Sequence, residues 1–152
     1  MWQETDLRET PGLAPCAFLT MWNVRNNAVG REFLDMCLIQ RSGDMITASG
    51  AGGINEVQYS ALLLMIARHC RLTPGVFTHF VANEQIYDRH ETAAIEMMRR
   101  YDVLDRSNEP HVHNPWLQIN PKKDNFYEFT IEDFEMLNYE PMKPQLKLEL
   151  GI

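Results

Sequence analysis

Paired cysteines and long apolar runs are both missing from this sequence. Its three cysteines, Cys16, Cys37 and Cys70, are widely spaced and form no CxxC pair. An odd, scattered set of this kind argues against a disulfide framework and predicts free thiols in a reducing, cytoplasmic environment. The longest apolar run, residues 61–67, is much shorter than the roughly 20 residues needed to span a bilayer. The first residues also lack the basic and apolar segments of a signal peptide, so we expect a cytoplasmic protein without membrane association.

Basic residues are scarce as well. The chain has 14 Lys and Arg against 21 Asp and Glu, which gives a formal net charge of −7. Binding to duplex nucleic acid requires a basic surface, so we expect no duplex nucleic-acid partner. A local pocket for a single anion is still compatible with this balance.

Convincing metal-ligand spacing and a phosphate-binding loop are also lacking. His111 and His113 are the closest to a ligand pair, but no third ligand follows, and we interpret them as surface residues. The glycine-rich residues 49–53 lack the Lys-Ser/Thr of a phosphate-binding loop and are interpreted as a flexible loop. Glu132, Asp133 and Glu135 lie among apolar residues and are interpreted as a solvated face beside a buried one.

The composition is that of a folded protein. Hydrophobic residues make up 45% and charged residues 23% of the 152 residues, and no repeat or linker divides them. These values predict a single domain over residues 1–152.

Strand-like and helix-like segments alternate without a regular βαβ rhythm, which predicts an α+β fold. The predicted strands are residues 13–24, 33–39, 76–81, 116–120 and 145–150, the last with the clearest alternation, and the predicted helices are residues 56–71 and 90–101. A hairpin turn is predicted at residues 26–30, and Pro74-Gly75 is predicted to break the first helix.

One candidate for chemistry is Cys16, at the start of the first predicted strand. If the turn at residues 26–30 folds the second strand back on the first, Arg41 comes close to Cys16. A neighbouring guanidinium favours the thiolate, which is the reactive form of cysteine. Spacing alone favours the alternative, in which a lone cysteine is a small buried hydrophobic residue.

A second candidate follows the second predicted strand, where Gln40-Arg41-Ser42-Gly43-Asp44 is an abrupt polar segment. A guanidinium beside a hydroxyl suits a phosphate monoester, with Arg41 binding in bidentate fashion and Ser42 through a short hydrogen bond. The alternative is a solvated polar turn.

Asn55 lies at the start of the first predicted helix. Its side chain suits an ordinary N-cap. An amide also offers both donors and an acceptor, so it could instead recognise the edge of a nucleobase. Spacing alone favours the cap.

Taken together, these motifs resemble the thymidylate synthase family. The resemblance is carried in order by Leu13-Ala14-Pro15-Cys16, residues 40–44, Asn55-x-x-x-Tyr59, Ile86-Tyr87, residues 117–120 and residues 129–134. It implies the family's α+β fold, a mixed sheet packed with helices. It also implies that the chain is the C-terminal part of a longer enzyme, with the N-terminal portion missing.

The resemblance implies a reaction and a set of roles. The reaction is reductive methylation of dUMP to dTMP with 5,10-methylenetetrahydrofolate as co-substrate, in a homodimer that builds each site from both chains. Cys16 would be the nucleophile that adds to the pyrimidine. Arg41 would bind phosphate and activate Cys16, and Asn55 would recognise uracil. The other implied binding residues are Ser42 for phosphate, Gln40 in the lining of the same pocket, Asp44 for the pyrimidine and folate sites, Gln85 and Tyr87 for the sugar, and Ile152 in a tail that closes over bound ligands, folate included.

Some positions depart from the family pattern. Gln85 occupies the place of the usual histidine, Ala82-Asn83 replaces Gly-Asp, and Ala17 follows the nucleophile where many members have histidine. Two alternatives stay open. Gln85 and the missing N-terminal portion favour a non-catalytic fragment that binds nucleotide or dimerises, and a nucleotide hydroxymethylase would use the same nucleophile.

Overall fold

A computed structural model describes residues 4–9, 14–50, 53–106, 114–120 and 122–149. The chain forms two compact units, Met1–Gln85 and Ile86–Ile152. The single domain expected over residues 1–152 stays a prediction. The first unit contains helix α1 (Glu4–Glu9), strands β1 (Ala17–Asn26), β2 (Glu32–Gln40) and β3 (Gly43–Asp44), helix α2 (Ile54–His69), and strands β4 (Thr73–Val81) and β5 (Glu84–Gln85).

The predicted hairpin is confirmed. Strands β1 and β2 pair antiparallel, with Met21 opposite Cys37 and Ala17 opposite Gln40. Their turn is closed by the Asn27 side chain, whose Oδ1 accepts hydrogen bonds from the backbone N–H groups of Val29 and Arg31. Gly30 completes the turn with φ of +79°, a conformation that favours glycine.

Strand β2 is the centre of a three-stranded sheet in the order β1-β2-β4. Strand β4 pairs with it in parallel, and helix α2 makes the crossover between them. The predicted break at Pro74-Gly75 is wrong, because both residues lie inside β4 and α2 ends earlier, at His69. Strand β4 lies at the edge of the sheet, where a proline that cannot donate a hydrogen bond is tolerated.

The core of this unit lies between α2 and one face of the sheet. Leu34, Met36, Leu63 and Ala67 are buried in it, and partly buried neighbours pack against them, namely Trp22, Tyr59, Ile66, Leu72 and Phe77. Along β2, every second residue from Leu34 onward is buried, and the last of the series is polar Gln40, which is 1% exposed. The core face of β2 therefore continues into a buried polar position.

The second unit contains a 3₁₀ turn (Asp88–His90), helix α3 (Glu91–Arg106), strand β6 (Trp116–Ile119), 3₁₀ turns at Phe126–Glu128 and Ile131–Asp133, and strand β7 (Phe134–Leu137). Strands β6 and β7 pair antiparallel. The strand predicted over residues 145–150 is wrong for residues 145–149, because they have no sheet partner among the described residues. Their burial still alternates, with Leu146 and Leu148 half-buried between exposed neighbours.

The interpretation of residues 132, 133 and 135 as a solvated face is wrong for Asp133. Glu132 and Glu135 are exposed, but Asp133 is only 7% exposed. The Asp133 carboxylate accepts hydrogen bonds from Lys123 Nζ at 2.6 Å, from Thr130 N at 2.8 Å and from Asn120 Nδ2 at 2.9 Å. It therefore organises the turn before β7.

The fold is α+β, as predicted. In the described parts of the chain, no helix combines the length and apolarity needed to cross a membrane. Cys16, Cys37 and Cys70 are all free, as expected from their spacing.

Candidate active site

Cys16 and Arg41 meet where β1 begins and β2 ends. Arg41 N donates a hydrogen bond to Cys16 O at 2.9 Å, so the proximity predicted from the hairpin is confirmed. The Arg41 side chain is exposed, and its Nη2 donates to Ala14 O at 2.9 Å. This bond holds the guanidinium against the segment that leads into Cys16, which is half-buried. The hairpin therefore brings a cation and a thiol to the same end of the paired strands β1 and β2.

Gln40 joins several of the predicted site residues. Its Nε2 donates to Ser42 O at 2.8 Å. Its Oε1 accepts from Asn55 Nδ2 at 2.9 Å and lies 3.1 Å from Nε2 of His79. Both the nitrogen and the oxygen of this buried amide have hydrogen-bond partners, as is usual for buried polar groups. Gln40 and Asn55, which are 15 residues apart in the sequence, thus share one hydrogen-bonded cluster.

The N-cap interpretation of Asn55 is wrong. Helix α2 has Gly53 as its N-cap residue, with φ of +66° and no side-chain cap. Asn55 lies in the first turn, its N–H donates to Ala48 O at 2.8 Å, and its amide is directed to Gln40. The side chain therefore serves a tertiary contact, and its recognition of a nucleobase stays a prediction.

Asp44 organises the chain that follows the polar segment. Its Oδ1 accepts from Ile46 N at 3.1 Å, and its Oδ2 accepts from the Thr47 hydroxyl. The backbone oxygen of Asp44 also accepts from the N–H groups of Ala48 and Ser49. These bonds fold residues 45–49 into a compact turn beside Ser42, which is half-buried.

The glycine-rich segment begins at a fixed residue rather than in an open loop. Ser49 is fully buried, and its Oγ donates to Glu84 Oε1 at 2.6 Å. This hydrogen bond passes directly beside Gly43. A Cβ atom at position 43 would lie 2.2 Å from Ser49 Oγ. Glycine is therefore required at position 43 for this packing. Residues 51 and 52 of the segment lie outside the described residues.

The remaining predicted site residues lie farther along the chain. Gln85 is in β5, its backbone oxygen accepts from Met45 N, and its Oε1 accepts from Asn83 Nδ2 at 3.4 Å. Tyr87 belongs to the second unit, where its ring meets His90 edge-on at 5.7 Å. Ile152, like the pair at positions 111 and 113, lies outside the described residues.

Sequence reasoning missed two residues, His79 and Glu56. His79 lies on the half-buried face of β4 and stacks on Phe77 with a ring-centroid distance of 6.0 Å. Its Nδ1 lies 2.7 Å from Oε1 of Glu56, which is in the first turn of α2. Alternation along β4 could have assigned His79 to the same face as Phe77, but nothing local indicates its partners. In the described residues, no group of three or more His, Cys, Asp or Glu side chains could hold a metal ion.

Comparison with known proteins shows the family of the chain. The family described as "Thymidylate synthase" matches residues 1–152. The chain is 45% identical to the thymidylate synthase of Lactococcus lactis subsp. cremoris (strain SK11), covering 100% of this chain and 51% of that protein, and 44% identical to that of Streptococcus mutans, covering 100% and 50%. The solved structure of thermostable thymidylate synthase A from Bacillus subtilis is similar with a TM-score of 0.74 and 29% identity, covering 96% of this chain and 46% of that one.

The chain belongs to the thymidylate synthase family. Its α+β architecture is the fold of that family. It spans about half the length of the relatives it matches.

Proposed function

We propose that this chain carries the nucleophile and the nucleotide-binding part of an enzyme that methylates dUMP to dTMP. The observation that carries the proposal lies where β1 begins and β2 ends. There the backbone N–H of Arg41 donates a hydrogen bond to the backbone oxygen of Cys16. Gln40, which precedes Arg41, accepts a hydrogen bond from Asn55 and so connects this end of the strands to helix α2. The matched relatives are named thymidylate synthase, which favours methylation over the hydroxymethylase alternative.

Cys16 is assigned the nucleophilic role. Its thiol sulfur adds to the pyrimidine ring, and the neighbouring ring carbon then becomes the nucleophile that attacks the methylene group of 5,10-methylenetetrahydrofolate. Elimination and hydride transfer from the folate yield dTMP and dihydrofolate. The half-buried position of Cys16 at the sheet edge leaves it reachable by a ligand.

The phosphate of the nucleotide is assigned to the segment after β2. Arg41 offers an exposed guanidinium with several N–H donors, of which Ala14 O uses one. The Ser42 hydroxyl follows directly, and Gln40 fixes the backbone there by donating to Ser42 O. In a chain of net charge −7, this local cation supplies the attraction that a phosphate needs.

Asn55 is assigned to the uracil edge. One amide hydrogen is donated to Gln40, which leaves the second hydrogen and Oδ1 for the base. The other assignments follow the family resemblance alone: Asp44 orders the pyrimidine and folate sites, Gln85 and Tyr87 contact the sugar, and Ile152 closes over the folate.

Residues outside this chain complete the proposed enzyme. The chain spans about half of its relatives, so we assign it their C-terminal part and expect further catalytic groups from the remainder. We also propose a homodimer in which each site takes residues from both chains. The three free thiols support the cytoplasm as its location.

The proposal is tested by trapping the covalent intermediate. The chain is incubated with 5-fluoro-dUMP and methylenetetrahydrofolate, together with a polypeptide covering the part of the Lactococcus enzyme that this chain does not span. Intact-mass and peptide spectra are expected to show a nucleotide–folate adduct on Cys16, with little adduct on the chain alone.

Two variants test whether the adduct forms on Cys16. Cys16→Ser is expected to abolish the adduct, because a hydroxyl is a far weaker nucleophile than a thiol. Cys70→Ser is the matched control, since Cys70 is free and exposed and has no assigned role. Failure to form an adduct in the complemented mixture, or an adduct that survives in Cys16→Ser, would refute the assignment.

A further inference from the structure

His79 lies between a carboxylate and the amide that organises the site. Its side chain is 10% exposed, with Nδ1 2.7 Å from Glu56 Oε1 and Nε2 3.1 Å from Gln40 Oε1. The ring therefore connects the first turn of α2 to the last residue of β2. It does so without belonging to any motif by which the family is recognised.

The donors and acceptors around Gln40 can be assigned in one way. Ser42 O can only accept, so the atom of Gln40 that faces it is Nε2. Oε1 then faces Asn55 and His79, and both of these side chains must donate. Asn55 donates with Nδ2, and His79 must carry a hydrogen on Nε2.

The other side of the ring faces Glu56. Glu56 Oε1 accepts from Gly50 N at 3.1 Å and lies 2.7 Å from His79 Nδ1. Glu56 Oε2 is buried and has no hydrogen-bond partner in the described chain, so the contacts of this side chain are made through Oε1. The Glu56 side chain therefore holds the His79 ring from the side opposite Gln40.

We propose that Glu56 and His79 form a positioning pair that fixes the direction of the Gln40 amide and, through it, that of Asn55. This inference rests on the proposed function, in which Asn55 recognises uracil. Uracil presents an N–H donor at N3 and an acceptor at O4, whereas cytosine presents an acceptor at N3 and a donor at N4. Reversing an amide exchanges its donor and acceptor positions. The pair therefore acts as a determinant of selectivity for uracil over cytosine, although neither residue contacts the base.

The first measurement does not depend on nucleotide. Nitrogen-15 NMR of the unmodified chain at neutral pH is expected to show hydrogen on Nε2 of the His79 ring, with slowly exchanging side-chain amide hydrogens on Gln40 and Asn55. In Glu56→Gln the carboxylate is lost at constant size, and in His79→Phe the ring nitrogens are lost. Both changes are expected to speed exchange of those two amides, and His79→Gln, which retains an N–H donor, is expected to restore part of the protection.

The second measurement is nucleotide selectivity in the complemented mixture. Glu56→Gln and His79→Phe are each expected to reduce the ratio of dUMP to dCMP affinity about tenfold, the effect of losing one oriented hydrogen bond. The matched control is Gln58→Glu, which also changes one unit of charge but at an exposed position in the same turn of α2. It is expected to leave the ratio unchanged, and backbone amide spectra of all variants verify that the fold is retained.

The outcomes separate the two proposals. A His79 ring without hydrogen on Nε2, or an unchanged affinity ratio in folded Glu56→Gln and His79→Phe, would overturn the positioning role. If the unmodified protein binds no dUMP, the proposed function fails and the uracil selectivity fails with it. The ring and amide signals would then still decide whether the pair orients Gln40.

Discussion

Asp133 is a buried carboxylate in which both oxygens are bonded. The hydrogen bond from Lys123, reinforced by the backbone of Thr130 and the amide of Asn120, holds the pKa of this carboxyl well below its ordinary value of 3.8. A lowered pKa means that the folded state favours the ionised form. This stabilisation is present above pH 4 and is lost as the pH falls.

We expect Asp133→Asn to lower the melting temperature at pH 7 and to have a smaller effect at pH 3, where the unmodified protein has also lost part of this contribution. Thermal unfolding followed by circular dichroism at both pH values measures the difference. Glu135→Gln is the control, because Glu135 is exposed on the neighbouring strand. An Asp133→Asn effect that is equal at both pH values would contradict this account.

Individual side chains show which contacts a sequence can predict. The approach of Arg41 to Cys16 followed from pairing two strands across one turn, since pairing fixes which ends meet. The contact from Asn55 to Gln40 could not be predicted, because it joins residues from two elements and depends on tertiary packing. Its local pattern indicated only a helix cap.

At the scale of elements, Gly75 is a point of close approach between β2 and β4. A Cβ atom there would lie 2.0 Å from Asp35 Oδ1 and 2.8 Å from Leu34 O. Asp35 occupies this space because its Oδ1 accepts from Val76 N at 2.7 Å, where the register between the two strands shifts. The missing side chain of Gly75 therefore admits a carboxylate that ties the strands together.

We expect Gly75→Ala to destabilise the protein by about 1–3 kcal/mol, the usual cost of forcing extra atoms into a packed site. Urea unfolding measures this change. Thr78→Ser, at an exposed position of the same strand, is expected to change the free energy of unfolding by less than about 0.5 kcal/mol. Equal stability of Gly75→Ala and the unmodified protein would show that β2 and β4 separate easily at this point.

Helices and strands were predicted correctly where the local sequence pattern agrees with the partners that the folded chain supplies. The hairpin, α2, β4 and β6 were found from apolar periodicity and turn residues. The Pro74-Gly75 break was wrong because an edge strand tolerates both residues. The strand at residues 145–149 was wrong because alternation specifies which side chains face inward, whereas a strand also requires a hydrogen-bonding neighbour.

At the scale of the whole molecule, lowered carboxyl pKa values occur in both units. In the first unit, the hydrogen bond from the Val76 backbone lowers the pKa of Asp35. In the second unit, Arg99 and Arg100 lower the pKa of Glu96 to about 2, and Thr130 lowers that of Glu132. With Asp133, four carboxyl groups bind protons less readily in the folded chain than in the unfolded one.

Stability is therefore expected to rise with pH between about 3 and 5, where the unfolded chain binds more protons, and to level off towards neutrality. Burial raises the pKa of Tyr59, so a second loss is expected as the pH rises past 10. Melting temperatures from pH 3 to 11 provide the measurement. A melting temperature that is constant between pH 3 and 6 would show that these carboxyl contacts do not persist in solution.

The division of the chain into two units was not predicted. No linker, composition change or repeat marks residue 85 in the sequence, and the boundary follows from which segments fold on each other. The family, by contrast, was recognisable because its motifs are short and lie in a fixed order.

The position of strand β2 has a consequence for local unfolding of the protein. Leu34, Met36, Leu38 and Gln40 share one buried face, so over about 20 Å the same backbone passes from the apolar core to the site. Gln40 pairs with Ala17 on one side and with Val81 on the other. Local opening that releases the Gln40 backbone must therefore break its pairing with both neighbouring strands, and it is expected to cost more free energy than opening at an edge strand.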